Sequence, residues 1–117
     1  MLLVMIQESH ISLDKMKGVH IIRWNSEDKP EIDKIRDNLD NEGLDHYTFV
    51  CSPGDFFEEH KHGGHEIRIV VDGQMEYGVG DEKFVLGPGD RIEMEPEVVH
   101  TAKAIGDKKV VTIGAEK

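Results

Sequence analysis

The chain has 117 residues, the length of one ordinary domain and enough to bury a core without disulfides. It carries 24 acidic against 14 basic residues, a net charge of −10, and a surface this acidic repels nucleic acids and anionic membranes. The single cysteine, Cys51, excludes a disulfide within the chain and favours a reducing, cytoplasmic location. The apolar start, Met1 to Ile6, is too short for a membrane span and lacks the basic flank of a signal peptide.

The first 45 residues predict one strand and one helix. Gly18 to Trp24 has the composition of a short strand. A helix is expected to begin near Glu27 to Pro30, because proline suits a first helical turn, and to end where Gly43 can adopt a left-handed conformation. Its apolar stripe consists of Ile32, Ile35 and Leu39.

From His46 onward, short apolar segments separated by glycine and proline turns predict a β-sandwich or barrel. In the segment 91–95, alternation places Ile92 and Met94 inward and the charges outward. The segment 66–72 is apolar on both faces, so either the helix stripe or a partner subunit in a homodimer must cover its second face. The seven predicted strands are 47–51, 66–72, 75–79, 83–86, 91–95, 98–105 and 109–113.

The densest polar cluster lies between residues 57 and 66 and contains His60, His62 and Glu66. On an extended strand His60 and His62 point the same way, and the Glu66 carboxylate follows one short turn later. A third imidazole, His100, comes from a strand far downstream. Three neutral nitrogens and one carboxylate suit Fe²⁺, Mn²⁺, Ni²⁺, Co²⁺ or Zn²⁺ and are too rich in nitrogen for Ca²⁺ or Mg²⁺. The cluster therefore predicts a site for one divalent transition metal ion.

Two strings of residues around this cluster carry a family resemblance. The first, G-x5-H-x-H-x3-E-x6-G, runs from Gly54 to Gly73, and the second is Gly-Asp at 89–90 followed by His100. They resemble the two motifs of the cupins, although Glu95-Pro96-Glu97 stands where cupins place Pro-x-Gly. The resemblance implies a mainly β fold, with one double-stranded β-helix (jelly-roll) barrel over residues 46–117. Residues 1–45 would then form a strand and helix extension packed on that barrel.

Within the cupins the sequence is most similar to acireductone dioxygenase, an enzyme of methionine salvage. The likeness rests on Phe56 to His62 and on Glu66 to Arg68, and it extends upstream to Ser12-Leu13-Asp14. It implies a catalytic role for Arg68, which would neutralise a small enediolate during carbon–carbon cleavage by O₂. It also implies Fe²⁺ or Ni²⁺ as the metal, and these two ions would give different cleavage products. The ligands implied are His60, His62, Glu66 and His100, and the substrate contacts implied are Phe56 and Arg68.

Three departures from that family keep other functions open. Ala102 occupies a substrate-contact position where the family has an aromatic residue, and the segment 110–114 lacks the family's arginine. The sequence also stops at Lys117, short of the family's C-terminal tail. The alternatives are a cupin isomerase or lyase acting on a sugar or keto acid without O₂, and a non-catalytic protein that binds a metal or a small molecule.

The remaining polar residues have simpler interpretations. Arg68 shares the inward phase of Glu66 and Val70, which favours a pocket cation over a salt bridge to one of the many carboxylates. His65 is one residue out of phase and is predicted at the surface, and Cys51 is predicted to be a small buried apolar residue. No role is assigned to His10, His20 or His46.

Overall fold

The structure is a computed structural model that describes residues 18–117. Met1 to Ile6, His10 and Ser12-Leu13-Asp14 lie outside the described residues. No helix in the described part of the chain is both long and apolar enough to cross a membrane. The elements in chain order are β1 (Val19–Ile22), α1 (Ile32–Asn41), β2 (His46–Cys51), β3 (Phe56–His60), β4 (Glu66–Asp72), β5 (Gln74–Val79), β6 (Glu82–Leu86), β7 (Arg91–Met94), β8 (His100–Ile105) and β9 (Val110–Glu116).

The strands form two antiparallel sheets. One sheet has the order β1-β7-β4-β9-β2 and the other has the order β3-β8-β5-β6. Side chains from both sheets meet in one buried cluster that includes Ile21, Val70, Met75, Leu86 and Ile92. The prediction of a mainly β fold with a helix near its N-terminus is confirmed.

Helix α1 covers the outer face of the five-stranded sheet. Ile35 and Leu39 pack against Ile67, Ile69 and Ile113 in a second buried cluster on that face. The helix stripe therefore covers the second apolar face of β4, and association into a homodimer stays a prediction. Strand β1 forms the edge of the same sheet beside β7, and the domain division at residue 45 likewise stays a prediction.

The helix begins later than the sequence predicts. Glu31 has an extended backbone (φ −102°, ψ 128°), and its carbonyl accepts the first helical hydrogen bonds, from the N–H groups of Lys34 and Ile35 at 3.1 Å. Pro30 therefore precedes the helix instead of forming its first turn. A proline disfavours helical backbone in the residue before it, so residues 27–29 do not extend the helix upstream.

The C-terminal end of the helix is as predicted. Gly43 is left-handed (φ 77°), and its N–H donates to the Asp40 carbonyl at 2.9 Å. The N–H of Leu44 donates to the Leu39 carbonyl at 3.0 Å. This pair of bonds is the Schellman pattern that satisfies the last carbonyls of a helix.

The strands differ from the prediction in number, and one outward charge is more buried than its position suggests. Eight strands follow residue 45 instead of seven, and the additional one is β3. Its pairing with β8 shifts between Phe57 and His60, and this bulge interrupts the alternation by which a strand is recognised. In β7, Glu93 faces outward but is buried, because Arg91, His65 and Lys117 surround its carboxylate at 2.8–3.3 Å.

Candidate metal centre

The predicted ligands come from both sheets and meet at one end of the space between them. His60 ends β3 and is paired with His100, which begins β8. Glu66 begins β4 in the opposite sheet, and His62 lies in the short loop between β3 and β4. The site therefore spans the gap between the two sheets.

The three imidazoles lie close enough to share one centre, and the Glu66 carboxylate lies beside two of them. The potential ligand atoms of His60, His62 and His100 all lie within 4.8 Å of one another. One carboxylate oxygen of Glu66, Oε1, is 3.1 Å from His62 Nε2 and 3.3 Å from His100 Nε2. The structure thus brings together all four residues that the sequence singles out as ligands.

Hydrogen bonds to backbone carbonyls fix the orientation of two imidazoles. The Nδ1 atom of His60 lies 2.6 Å from the Glu58 carbonyl oxygen, and that of His100 lies 3.0 Å from the Val98 carbonyl oxygen. A carbonyl only accepts, so Nδ1 is the donor in each ring. In the neutral imidazole the other nitrogen, Nε2, then carries a free lone pair. Such bonds are the usual way in which a protein orients a metal-ligating histidine.

Two buried atoms at the centre have no hydrogen-bond partner among the described residues. They are His62 Nε2 and Glu66 Oε1, and they face each other at 3.1 Å. A buried polar atom without a partner is costly, and two such atoms side by side are unusual in a folded protein. A divalent cation between them would satisfy both, and a set of three imidazoles with one carboxylate suits a transition metal ion. The residues present therefore fit the metal that the sequence predicts.

Glu66 is held as a carboxylate. Its side chain is almost fully buried, with 3% of the residue exposed. Burial raises the pKa of the Glu66 carboxyl, but His100 and Arg68 beside it lower it by more, so that the pKa lies at about 2. Its second oxygen, Oε2, accepts a hydrogen bond from Arg68 Nε at 2.7 Å.

Arg68 lies between this carboxylate and two aromatic rings. Its guanidinium carbon is 5.3 Å from the centre of the Tyr47 ring and 5.8 Å from that of Phe49, which are cation–π distances. Arg68 and Tyr47 are both paired with Gly114, and the missing side chain at Gly114 leaves room for them to meet. No acceptor within residues 18–117 bonds the two Nη atoms, so they are free to donate to a ligand.

The space beside the ligands is a small cavity of about 150 Å³. Arg68 and Ala102, two of the predicted substrate contacts, lie in its wall. Phe56, the third, is 55% exposed and is not among the lining residues, whereas Phe57 is. Phe57 is paired with Ala102 across the sheet, which places it in the inward phase and Phe56 in the outward phase.

Several lining residues were not singled out by the sequence analysis. Phe57, Ala102 and Tyr77 form one row across three strands, since β8 pairs with both β3 and β5. Burial raises the pKa of the Tyr77 hydroxyl well above its ordinary value, so this group stays protonated. The alternation of β5 was visible in the sequence, but the register that aligns Tyr77 with Ala102 was not. The rest of the wall includes Phe49, Cys51, Met75 and Thr112.

The sequence predicts His65 at the surface and Cys51 as a small buried apolar residue. His65 is half-buried and lies outside the ligand group, with its Nε2 2.8 Å from Glu93 Oε1 on the outer side of the sheet. Cys51 is buried, as predicted, with its side chain in the cavity wall. Burial raises the pKa of the Cys51 thiol, which keeps it protonated and unreactive.

Residues 47–114, more than half of the sequence, match the family described as the cupin domain. The chain belongs to the cupin family. It is 26% identical over 107 residues to an acireductone dioxygenase from Puccinia graminis f. sp. tritici, a match that covers 77% of this chain and 58% of that protein. The chain therefore spans less than two thirds of the length of this relative.

Solved structures agree with the cupin assignment. A cupin-like protein from Thermotoga maritima superposes with a TM-score of 0.58 at 27% identity, covering 85% of this chain and 68% of that one. The DMSP lyase DddQ from Ruegeria pomeroyi superposes with a TM-score of 0.55 at 24% identity, covering 63% of this cupin and 38% of the lyase. The second match shows the fold alone. The jelly-roll barrel predicted from the sequence is confirmed, and the acireductone dioxygenase relative supports the resemblance described above.

Proposed function

We propose that this cupin is a metal-dependent dioxygenase that cleaves a small enediol of the acireductone type with O₂. The ligands of one divalent transition metal ion would be His60, His62, Glu66 and His100, and Fe²⁺ or Ni²⁺ is favoured. Arg68 would be the catalytic residue that neutralises the charge of the enediolate.

The unpartnered pair at the centre carries this proposal. His62 Nε2 and Glu66 Oε1 are buried and 3.1 Å apart without a hydrogen-bond partner in residues 18–117, and a bound cation would satisfy both. When bound, a divalent ion would supply Lewis-acid chemistry that stabilises an enediolate. With three neutral imidazoles and one carboxylate, the ion and its ligands would have a net charge of +1, which also favours an anionic substrate.

The chain's own residues fit such a substrate. Arg68 is fixed by Glu66 and the aromatic rings, so its two Nη atoms are already oriented to donate to an oxyanion. The apolar part of the wall, which includes Phe57, Met75 and Tyr77, would shield that contact from water once a substrate is bound. A cavity of about 150 Å³ limits the reacting molecule to a small one.

The acireductone dioxygenase relative supports the substrate class at 26% identity over part of its length. The aromatic residue missing at Ala102 is flanked here by Phe57 and Tyr77, which supply rings on both sides of the gap. Among residues 18–117, Arg68 is the one basic side chain in the cavity wall apart from the histidines, so within this range the arginine missing from β9 has no replacement there. The detailed shape of the substrate would therefore differ from that of the relative.

The experiment is anaerobic purification with elemental analysis, followed by O₂ uptake with a panel of enediols. We expect about one transition metal ion per chain and O₂ uptake with a small acireductone. Glu66→Ala is the inactive control. Turnover of sugars or keto acids under anaerobic conditions would contradict the dioxygenase and favour the isomerase or lyase. Metal binding with no turnover of any kind would favour the non-catalytic alternative.

A further inference from the structure

Glu97 has an unusual backbone conformation in the loop that leads from β7 to β8. Its φ is 71°, and it is the one non-glycine residue of residues 18–117 with a positive φ. This left-handed conformation is unfavourable for a residue with a side chain. Such strain persists where the surroundings fix it, and it is concentrated at functional sites. The contacts around Glu97 should therefore show what maintains its left-handed conformation.

Within residues 18–117, Glu97 makes one backbone hydrogen bond and one ion pair, and both reach the segment that carries His62. Its backbone N–H donates to the His62 carbonyl at 2.8 Å. Its carboxylate lies 3.0 Å from the ammonium group of Lys61. The loop that leads to His100 is thereby fastened to the loop that follows His60.

His62 needs such support more than the other proposed ligands do. His60 and His100 pair with each other in one sheet, and Glu66 pairs with Met94 and Glu116 in the other. His62 lies outside every strand, between β3 and β4. The bond from the Glu97 N–H is the one backbone hydrogen bond that His62 makes within residues 18–117.

We propose that Glu97 is a positioning residue, whose left-handed backbone holds His62 in place for metal binding. This inference rests on the metal site of the proposed function. The backbone N–H is the main contact, because the ion pair with Lys61 is largely exposed (57% and 60% of the two side chains) and such pairs contribute little. Residues that orient a ligand in this way typically change metal affinity by about 10–100-fold.

The test compares three substitutions in the full-length, metal-free protein titrated with Co²⁺. Glu97→Val is strongly disfavoured at positive φ and should weaken Co²⁺ binding by about 10–100-fold. Glu97→Gly tolerates the left-handed conformation and keeps the N–H, so its affinity should stay within about threefold of wild type. Glu97→Thr, which is also β-branched but polar, should fall between them and serves if the valine variant does not fold.

Gly43→Val is the matched control. Gly43 is also left-handed (φ 77°) with open space around it, but it lies at the end of the helix, away from the ligands. The control should lower stability without changing Co²⁺ affinity. Equal losses of affinity in Gly43→Val and Glu97→Val would show a general effect of destabilisation and would overturn the role of Glu97.

A double-mutant comparison tests whether Glu97 acts through His62. In the His62→Ala background, Glu97→Val should change Co²⁺ affinity by less than about twofold, because the residue to be positioned is already missing. The same fold-loss in both backgrounds would overturn the proposal. Absence of Co²⁺ binding by the wild-type protein would overturn the metal site itself, whereas wild-type binding with unchanged affinity in Glu97→Val would overturn the role of Glu97 alone.

Discussion

Replacing Arg68 by methionine separates a catalytic role from a purely structural one. The guanidinium donates to the buried Glu66 carboxylate at 2.7 Å, and no other hydrogen bond within residues 18–117 reaches that oxygen. Removing one partner of a buried ion pair costs about 3–5 kcal/mol, because the other charge is left without compensation. Methionine keeps part of the packing against Tyr47 and Phe49, so we expect the metal-free protein to lose about 3 kcal/mol of its free energy of unfolding.

The loss should be smaller when a metal ion is bound, because the ion then compensates the Glu66 charge in place of Arg68. Urea denaturation with and without metal measures this difference. Metal content at neutral pH should be unchanged, since Arg68 is not a ligand, but kcat/KM with an enediol should fall by about 10²–10³-fold. Arg68→Lys should restore only part of the lost kcat/KM, because an ammonium group cannot bind Glu66 and also present two parallel donors to the substrate.

Arg91→Met is the matched control for this variant. Arg91 is also partly buried and also paired with carboxylates, in its case those of Glu42 and Glu93, but it lies on the outer face of the sheet. Arg91→Met should lower the free energy of unfolding and leave kcat/KM unchanged. If Arg68→Met consumes O₂ with the enediol at the wild-type rate, Arg68 is a structural ion-pair residue and the reasoning on the substrate is refuted.

Four further outcomes are expected. Glu66→Ala should abolish the bound metal equivalent in elemental analysis, and a full equivalent in that variant would exclude the proposed site. Metal affinity, measured by competition with a chelator, should fall below about pH 6 because the imidazoles must be neutral to ligate, and a flat profile from about pH 5 to 8 would contradict histidine ligation. Leu39→Ala should cost about 3–5 kcal/mol in urea denaturation, since Leu39 is fully buried, yet leave metal content unchanged; loss of the metal would contradict the separation of the two faces of β4. Arg91 lowers the pKa of Glu42 below its ordinary value of 4.5. The stabilisation of the folded state by the Glu42–Arg91 ion pair is therefore complete above that pH and is lost as the pH falls through the folded-state pKa of Glu42. Arg91→Met should therefore weaken the acid dependence of the urea midpoint below about pH 4.5, and an unchanged dependence would contradict that pairing.

Features that depend on local spacing could be predicted from the sequence. The stripe Ile35 and Leu39 identified the buried face of the helix, and Gly43 identified its end. These helix predictions needed only the period of a helix. The ligands His60 and His62 could be recognised because they stand in the longer string from Gly54 to Gly73, whose spacing is specific, although His62 lies in the loop after β3 and not on a strand.

Features that depend on register or on irregular backbone could not be predicted. The bulge in β3 decides that Phe57 lines the cavity and Phe56 does not. The meeting of Arg68 with Tyr47 depends on two strand pairings at Gly114, which bring together residues far apart in the chain. Register follows from the packing of the whole sheet and from turn geometry, and no single segment encodes it.

The two sheets differ in how freely their inward side chains could change during evolution. Strand β4 holds Glu66 and Arg68 on one face, while Ile67 and Ile69 on the other face pack under the helix, so both faces are constrained. In the four-stranded sheet, the outward neighbours of the cavity wall include Phe56, Lys103 and Val85, which are exposed. Substitutions of the inward residues of this sheet therefore disturb packing on one side of the backbone only. New substrate preferences in this lineage would therefore arise more readily by exchange of side chains on β3, β5 and β8 than on β4.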